Sequence, residues 1–333
     1  MASIIDWHAH WIPPQLADAL RARSHPPRIV SENDADTLVR EEGSPGQPLV
    51  PTFVSLSARL KALDEAGVER QVISLPGLFG NAALPLKERL ELTRAFNEGL
   101  SELTTAHPDR FSGLAILPVA DPGVAAEELE RAIRDLGLLG ALLPVDAFLT
   151  LESARELRPI LEVAERFQAH LFIHPGPWRD SRRDEGKDLD TAHYRTGVLD
   201  LQGRISSAFV TLAYTDLLEQ APHVTVQLAN LGGALPFYAD RLVNTANKRG
   251  LTDPIAPLKR FYVDTGSLST NSIELTARVL GADRILFGTD DPVFSLPANV
   301  KGVQATRLTA EERQGILSEN GRPLLKKSRK PAS

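Results

Sequence analysis

The sequence predicts an α/β protein with one domain, a distorted (β/α)8 barrel of the TIM type with a small insertion after its first strand. Three observations carry this prediction. Eight short apolar runs recur along the 333 residues, segments of helical spacing separate most of them, and His and Asp side chains gather at run ends. A strand buried on both faces reads as an unbroken apolar run, which is the pattern of a parallel sheet. A prior of ~150 residues per domain would suggest two domains. Barrels of eight βα units commonly run to ~250 residues or more as one, so residues 1–333 fit a single barrel. A doubly wound open sheet is the competing arrangement.

The runs are Ile4–Trp7, Gln71–Leu75, Leu114–Leu117, Ala141–Val145, His170–His174, Val224–Leu228, Tyr262–Asp264 and Ile285–Phe287. After the first, Pro13 to Pro51 is proline-rich with little periodicity, and it is too long for an ordinary connection. It is expected to be an insertion, residues 11–55, over the barrel mouth, forming a lid or a small sheet. Leu56, Leu60 and Leu63 then recur at helical spacing, and Gly67 stops that helix before the second strand. Asp121 followed by Pro122 supplies an N-cap and a preset first turn for a helix carrying Leu129, Ala132, Ile133 and Leu136, which Gly137 can end. Ser153 is expected to begin another, running through Leu157, Ile160, Leu161 and Ala164.

Apolar residues make up 42% and charged residues 24%, the balance of an ordinary globular protein. The net charge of −6 argues against nucleic acid as a partner, which would call for a basic footprint. No run approaches the ~18 apolar residues of a membrane span. Asp6, His8 and His10 interrupt the first apolar run before it reaches signal-peptide length, so a cytoplasmic protein is expected. There is no cysteine, and any metal must therefore be held by His, Asp or Glu.

In a barrel the strand ends face the active site. The first strand ends in Asp6-Trp7-His8-Ala9-His10, the fifth in Phe172-Ile173-His174-Pro175-Gly176, and the eighth in Leu286-Phe287-Gly288-Thr289-Asp290-Asp291-Pro292. Residues two apart in an extended segment point the same way, so His8 and His10 can face one ion. Three imidazoles and the Asp290 carboxylate suit Zn²⁺ or a similar first-row ion in catalysis. Such an ion lowers the pKa of a water, polarises a carbonyl or organises a carboxylate. His25, His107, His170 and His223 read as structural or solvated. Trp178 and His193, in the polar loop after His174 with Arg179, Arg182 and Arg183, are the candidate substrate contacts.

Together these motifs resemble the amidohydrolase superfamily, and within it the branch of aminocarboxymuconate-semialdehyde decarboxylase. The resemblance extends to Leu63-Asp64-Glu65-Ala66-Gly67-Val68, His107-Pro108-Asp109-Arg110-Phe111, Leu231-Gly232-Gly233-Ala234-Leu235-Pro236-Phe237 and Tyr262-Val263-Asp264-Thr265. It implies a distorted barrel and one divalent metal, Zn²⁺ first and Mn²⁺ second, held by His8, His10, His174 and Asp290. Asp290 would also transfer a proton. It implies a homodimer in which Arg241 reaches the neighbouring subunit's site and binds a substrate carboxylate, a task that suits a planar guanidinium. Two positions depart from the branch. Asn230 stands where a histidine is usual, and an amide cannot act as a general base near neutral pH. Gln47 stands where a second substrate arginine is expected.

Two activities follow for a small, anionic substrate. The first is non-oxidative decarboxylation of an aromatic or unsaturated carboxylic acid, with Asp290 delivering the proton to carbon. The second is hydrolysis of an amide, lactone or ester, with Asp290 taking the proton and Asn230 orienting the carbonyl. A catalytically silent binding barrel is the third and weakest reading.

Overall fold

The computed structural model describes residues 3–32, 35–43, 46–76, 84–178 and 194–326. Its centre is a closed barrel of eight parallel strands. Strand β1 (Ile5–His10) is followed by three short strands of the insertion, β2 (Arg28–Glu32), β3 (Ala35–Val39) and β4 (Gln47–Pro48). The barrel resumes with β5 (Arg70–Ser74), β6 (Phe111–Gly113), β7 (Gly140–Pro144), β8 (His170–His174), β9 (Thr225–Leu228), β10 (Tyr262–Asp264) and β11 (Ile285–Leu286). Ladders join β1-β5-β6 and β7-β8-β9-β10-β11 as two parallel sheets. Single bridges close the ring at Ala115–Ala141 and Ala9–Asp291. The thinness of these two seams is the distortion.

Side-chain alternation divides the strands between two cores. Ile5, Trp7, Val72, Leu114, Leu142, Phe172, Ala229 and Leu286 fill the barrel interior. Residues of opposite parity, such as Leu171 and Ile173 on β8, pack outward with the helices. Leu324, from the C-terminal turn Arg322–Lys326, joins the interior cluster and plugs one end of the barrel.

Strand β1 breaks the alternation where it matters. Asp6 pairs with Gln71 and Ala9 with Ile73, so Trp7 and His8 together oppose the single residue Val72. This is a bulge. It lets Trp7 fill the interior and still turns His8 and His10 toward the same end of the barrel.

Several expected boundaries move. The third strand is Phe111–Gly113, ahead of the expected Leu114–Leu117. The side chain of Asn97 takes both backbone groups of Ile116, accepting from its N–H and donating to its C=O, each at 3.0 Å. Those groups therefore have no need of a ladder partner. The helix expected from Ser153 is two helices, Leu151–Glu156 and Arg158–Arg166. Thr150 is the cap, accepting from Ser153 N–H, and Pro159 in the first turn of the second helix supplies no N–H to continue the first. Gly67 ends the helix Leu56–Ala66 as expected, with φ of 70°.

Within the insertion, β2, β3 and β4 form an antiparallel sheet after the helix Pro14–Arg21. Ile29, Leu38, Leu49 and Phe53 bury into the main core. Ile12 N–H donates to Phe53 O at 2.8 Å, so the excursion starts and ends at one point. Gln47 lies in β4 and accepts from Arg40. No helix among the described residues is long and apolar enough to cross a membrane.

Candidate metal centre

Four side chains arrive at one point from three strand ends. His8 and His10 come from β1, His174 ends β8, and Asp290 lies in the turn after β11. One donor atom from each lies within 4.8 Å of all the others. His8 Nε2 is 3.0 Å from His174 Nε2, and Asp290 Oδ1 is 2.9 Å from His10 Nε2 and 3.5 Å from His8 Nε2. The histidines are fully buried, while Asp290 keeps 14% of its side chain exposed and so remains reachable by a ligand. Asp290 adopts a φ of 60°, a left-handed turn that carries its carboxylate back over β1.

The opposite nitrogen of each ring is tied down. His8 Nδ1 lies 3.0 Å from Asp264 Oδ1, His10 Nδ1 lies 3.3 Å from Ser74 O, and His174 Nδ1 lies 2.9 Å from Pro175 O. An acceptor at Nδ1 keeps the proton there and turns the Nε2 lone pair inward, the arrangement metal-binding histidines use. Among the described residues His10 Nε2 has no hydrogen-bond partner, only the ion-pair approach of Asp290. Inward lone pairs 3.0 Å apart, beside a carboxylate, repel unless a proton or a cation lies among them. The donor set, three imidazoles and one carboxylate, fits a divalent first-row ion.

The electrostatics agree. Burial pulls His8 down, but Asp264 and Asp290 outweigh it and raise His8 to about 9. Burial lowers His10, and it holds His174 well below the ordinary histidine range with help from the neighbouring rings. Burial alone would raise Asp290; the three histidines overcome it and hold the carboxyl at about 2. Before an ion binds, these shifts favour a proton on His8 over His10 and His174 and keep Asp290 a carboxylate.

Behind the four lies a buried scaffold that sequence reasoning missed. Asp264 Oδ1 accepts from Gly266 N–H at 2.9 Å and Asn230 N–H at 3.4 Å, and Gln227 Nε2 donates to Oδ2 at 2.7 Å. A Cβ at Gly288 would stand 2.7 Å from His8 Cβ, and one at Gly266 would stand 2.6 Å from His8 Nδ1. Outside the barrel wall, Arg59 is fully buried. Its Nη1 donates to Asp291 Oδ2 at 3.1 Å and Gln71 Oε1 at 2.7 Å, and its Nη2 to His10 O. Gln71 Nε2 donates to Asp6 Oδ2 at 2.9 Å, and Asp6 accepts from Thr289 Oγ1 at 2.7 Å. This chain of contacts ties β1, which bears His8 and His10, to the turn that bears Asp290. Asp6 in an apolar run and Asp264 at a strand end were the visible signals; a lone Arg59 on an ordinary helix was not.

Asn230 is buried at the end of β9 with φ of 53°, a left-handed conformation asparagine accepts more readily than most residues. Its Oδ1 has no hydrogen-bond partner among the described residues. Trp178, four residues after His174, is buried. Arg241 is exposed on the helix Ala239–Arg249, next to exposed Phe237 and Tyr238, and does not join the four in its own chain. His193, Arg179, Arg182 and Arg183 lie outside the described residues. Of the other histidines, His170 is buried against Gln227, while His25 and His223 are exposed and pair with Glu88 and Glu165.

The family model described as amidohydrolase matches residues 5–327. Gamma-resorcylate decarboxylase of Rhizobium radiobacter is 28% identical over 287 residues, covering 80% of this chain and 86% of that protein. The 2-amino-3-carboxymuconate-6-semialdehyde decarboxylase of Dictyostelium discoideum is 27% identical over 252 residues, covering 73% and 68%. Among solved structures, a dihydroxybenzoic acid decarboxylase from Polaromonas sp., with bound manganese and the inhibitor 2-nitroresorcinol, superposes with a TM-score of 0.73 at 21% identity. That match covers 98% of this chain and 97% of the other.

Proposed function

The chain belongs to the amidohydrolase family, and on that premise we propose that it is a metal-dependent non-oxidative carboxy-lyase for an aromatic carboxylic acid. The observation that carries the reading is the convergence of His8, His10, His174 and Asp290 with every Nδ1 tied down. Relatives with decarboxylase names over most of both chains support the choice of reaction. We propose zinc as the ion, with manganese, the metal in the Polaromonas structure, as the alternative. Held by the four side chains, a divalent ion supplies positive charge and Lewis acidity for an anionic oxygen of the substrate.

The chain's own groups do the rest. In decarboxylation the bond from ring carbon to carboxylate breaks, CO₂ leaves, and that carbon gains a proton. Asp290, held at about 2, enters as a carboxylate. The proton it hands to carbon must therefore first come to it from a substrate hydroxyl or from water. Asn230 cannot act as a base. Its buried Oδ1, without a partner among the described residues, suits acceptance of a hydrogen bond from a ring hydroxyl. Trp178 offers an aromatic wall on the segment that bears His174. We propose that the protein works as a cytoplasmic homodimer, with Arg241 reaching the partner's site and residues 11–55 serving as a lid over the mouth. The exposed Phe237 and Tyr238 beside Arg241 support such an interface.

Metal analysis of the purified protein, followed by CO₂ measurement with a panel of hydroxylated benzoates, tests this reading. About one metal per chain with CO₂ release is the expected result. A loaded protein that releases no CO₂ from any acid but cleaves amides or lactones would overturn it in favour of hydrolysis. For the dimer, mixing an Arg241→Ala chain with an Asp290→Asn chain should restore activity that neither has alone. No rescue would place Arg241 outside the partner's site.

A further inference from the structure

A second charged pair stands at the C-terminal ends of the strands, apart from the four. Asp146 lies in the turn Val145–Phe148 directly after β7, and its carboxylate is 3% exposed. Its backbone N–H donates to Gly176 O at 3.4 Å, which fixes it against the segment running from His174 to Trp178. Arg204, from the helix Leu201–Tyr214, makes an ion pair with Asp146 through Nη2. The same helix is pressed against the loop that begins at Asn230. Ala234 N–H donates to Ser206 Oγ at 2.8 Å, and a Cβ at Gly233 would stand 2.4 Å from Gln202 O. The helix bearing Arg204 thus packs between the turn bearing Asp146 and the loop that begins at Asn230.

The pair is incompletely satisfied. Among the described residues neither carboxylate oxygen of Asp146 has a hydrogen-bond partner, leaving only the ion pair, and the buried Arg204 Nε has none either. Among the described residues Arg204 has no anion other than Asp146, although a guanidinium carries five N–H donors. Its side chain keeps 24% exposure, enough for a ligand to touch it. Held by Asp146, the fork is oriented and the carboxylate avoids being a bare buried charge.

We propose that Arg204, anchored by Asp146, binds the carboxylate of the substrate within the same subunit. The inference rests on the aromatic-acid reading. It gives each site a carboxylate-binding cation of its own, whether or not Arg241 arrives from a partner. The chemistry is a charge-assisted N–H to carboxylate contact, which a neutral phenol cannot replace.

Calorimetric binding of 2,6-dihydroxybenzoate and of neutral resorcinol to the metal-loaded protein tests this. In Arg204→Met the carboxylate should bind roughly 10- to 100-fold more weakly, with resorcinol and metal content unchanged. Arg204→Lys should recover part of the loss. The double variant Arg204→Met/Asp146→Asn leaves no uncompensated buried carboxylate and should show the same selective loss if the single variant folds poorly. Equal affinities in wild type and both variants, or parallel loss of both ligands, would overturn the proposal and leave a structural ion pair. A wild type that binds neither aromatic would instead overturn the aromatic-acid reading itself, and this inference with it.

Discussion

Replacing Asp264 by Asn tests how the scaffold sets the centre. Asp264 is fully buried, and four donors converge on it: His8 Nδ1, Gly266 N–H and Asn230 N–H at Oδ1, and Gln227 Nε2 at Oδ2. A carboxylate accepts from all four, but an amide has one oxygen. If the new NH₂ faces Gln227, two donors meet across a contact that is 2.7 Å in the native protein. If it faces His8, the imidazole must move its proton to Nε2, the nitrogen aimed at the other ligands. Loss of such an outer partner typically costs ~10- to 100-fold in metal affinity, or about 1.4–2.7 kcal/mol. The buried unsatisfied donor adds ~1–3 kcal/mol of lost stability. Competition titration against a chromogenic chelator reads the first effect, and thermal unfolding of metal-free protein reads the second. A variant within twofold of wild type in metal affinity would refute the argument that Asp264 fixes the His8 tautomer.

Other perturbations address neighbouring parts of the account. Asp290→Asn should reduce turnover by at least ~10²-fold, the typical worth of a positioned proton-transfer group; substantial residual CO₂ release would reject Asp290 as proton donor. Because the folded value of His8, about 9, lies above the ordinary 6.5, its proton stabilises the metal-free fold. That contribution is present in full below 6.5 and is lost as pH rises through about 9, so thermal midpoints of metal-free protein should fall across that window. For the same reason metal uptake at neutral pH should expel about one proton, measurable by calorimetry in buffers of different ionisation enthalpy; no proton release would contradict an imidazolium at His8. Gly288→Ala would place a methyl 2.7 Å from His8 Cβ and should abolish metal binding while the chain still folds. Normal metal content would show that the His8 backbone yields easily.

The barrel and the four converging side chains were legible because each is written locally. Parallel strands read as apolar runs, and His8, His10, His174 and Asp290 each fall at or just past the end of one. Asp264 was visible only as a carboxylate in a strand, because its purpose depends on β1 and β9 arriving beside it. Arg59 gave no signal, since burial of a guanidinium depends on partners from β1, β5 and the turn after β11. The third strand was placed too late because Asn97, on the preceding helix Leu86–Ala106, takes over the backbone groups of Ile116. The bulge that brings both Trp7 and His8 inward is a matter of register, which no single strand specifies.

The most direct test of the central claim is a reaction in D₂O with metal-loaded protein and 2,6-dihydroxybenzoate, followed by NMR and mass spectrometry. The proton that Asp290 relays comes from water or an exchangeable hydroxyl, so the expected result is CO₂ release and resorcinol with one deuterium at the carbon that lost the carboxylate. Unchanged acid, together with turnover of an amide, lactone or ester by the same preparation, would contradict it and identify the centre as hydrolytic.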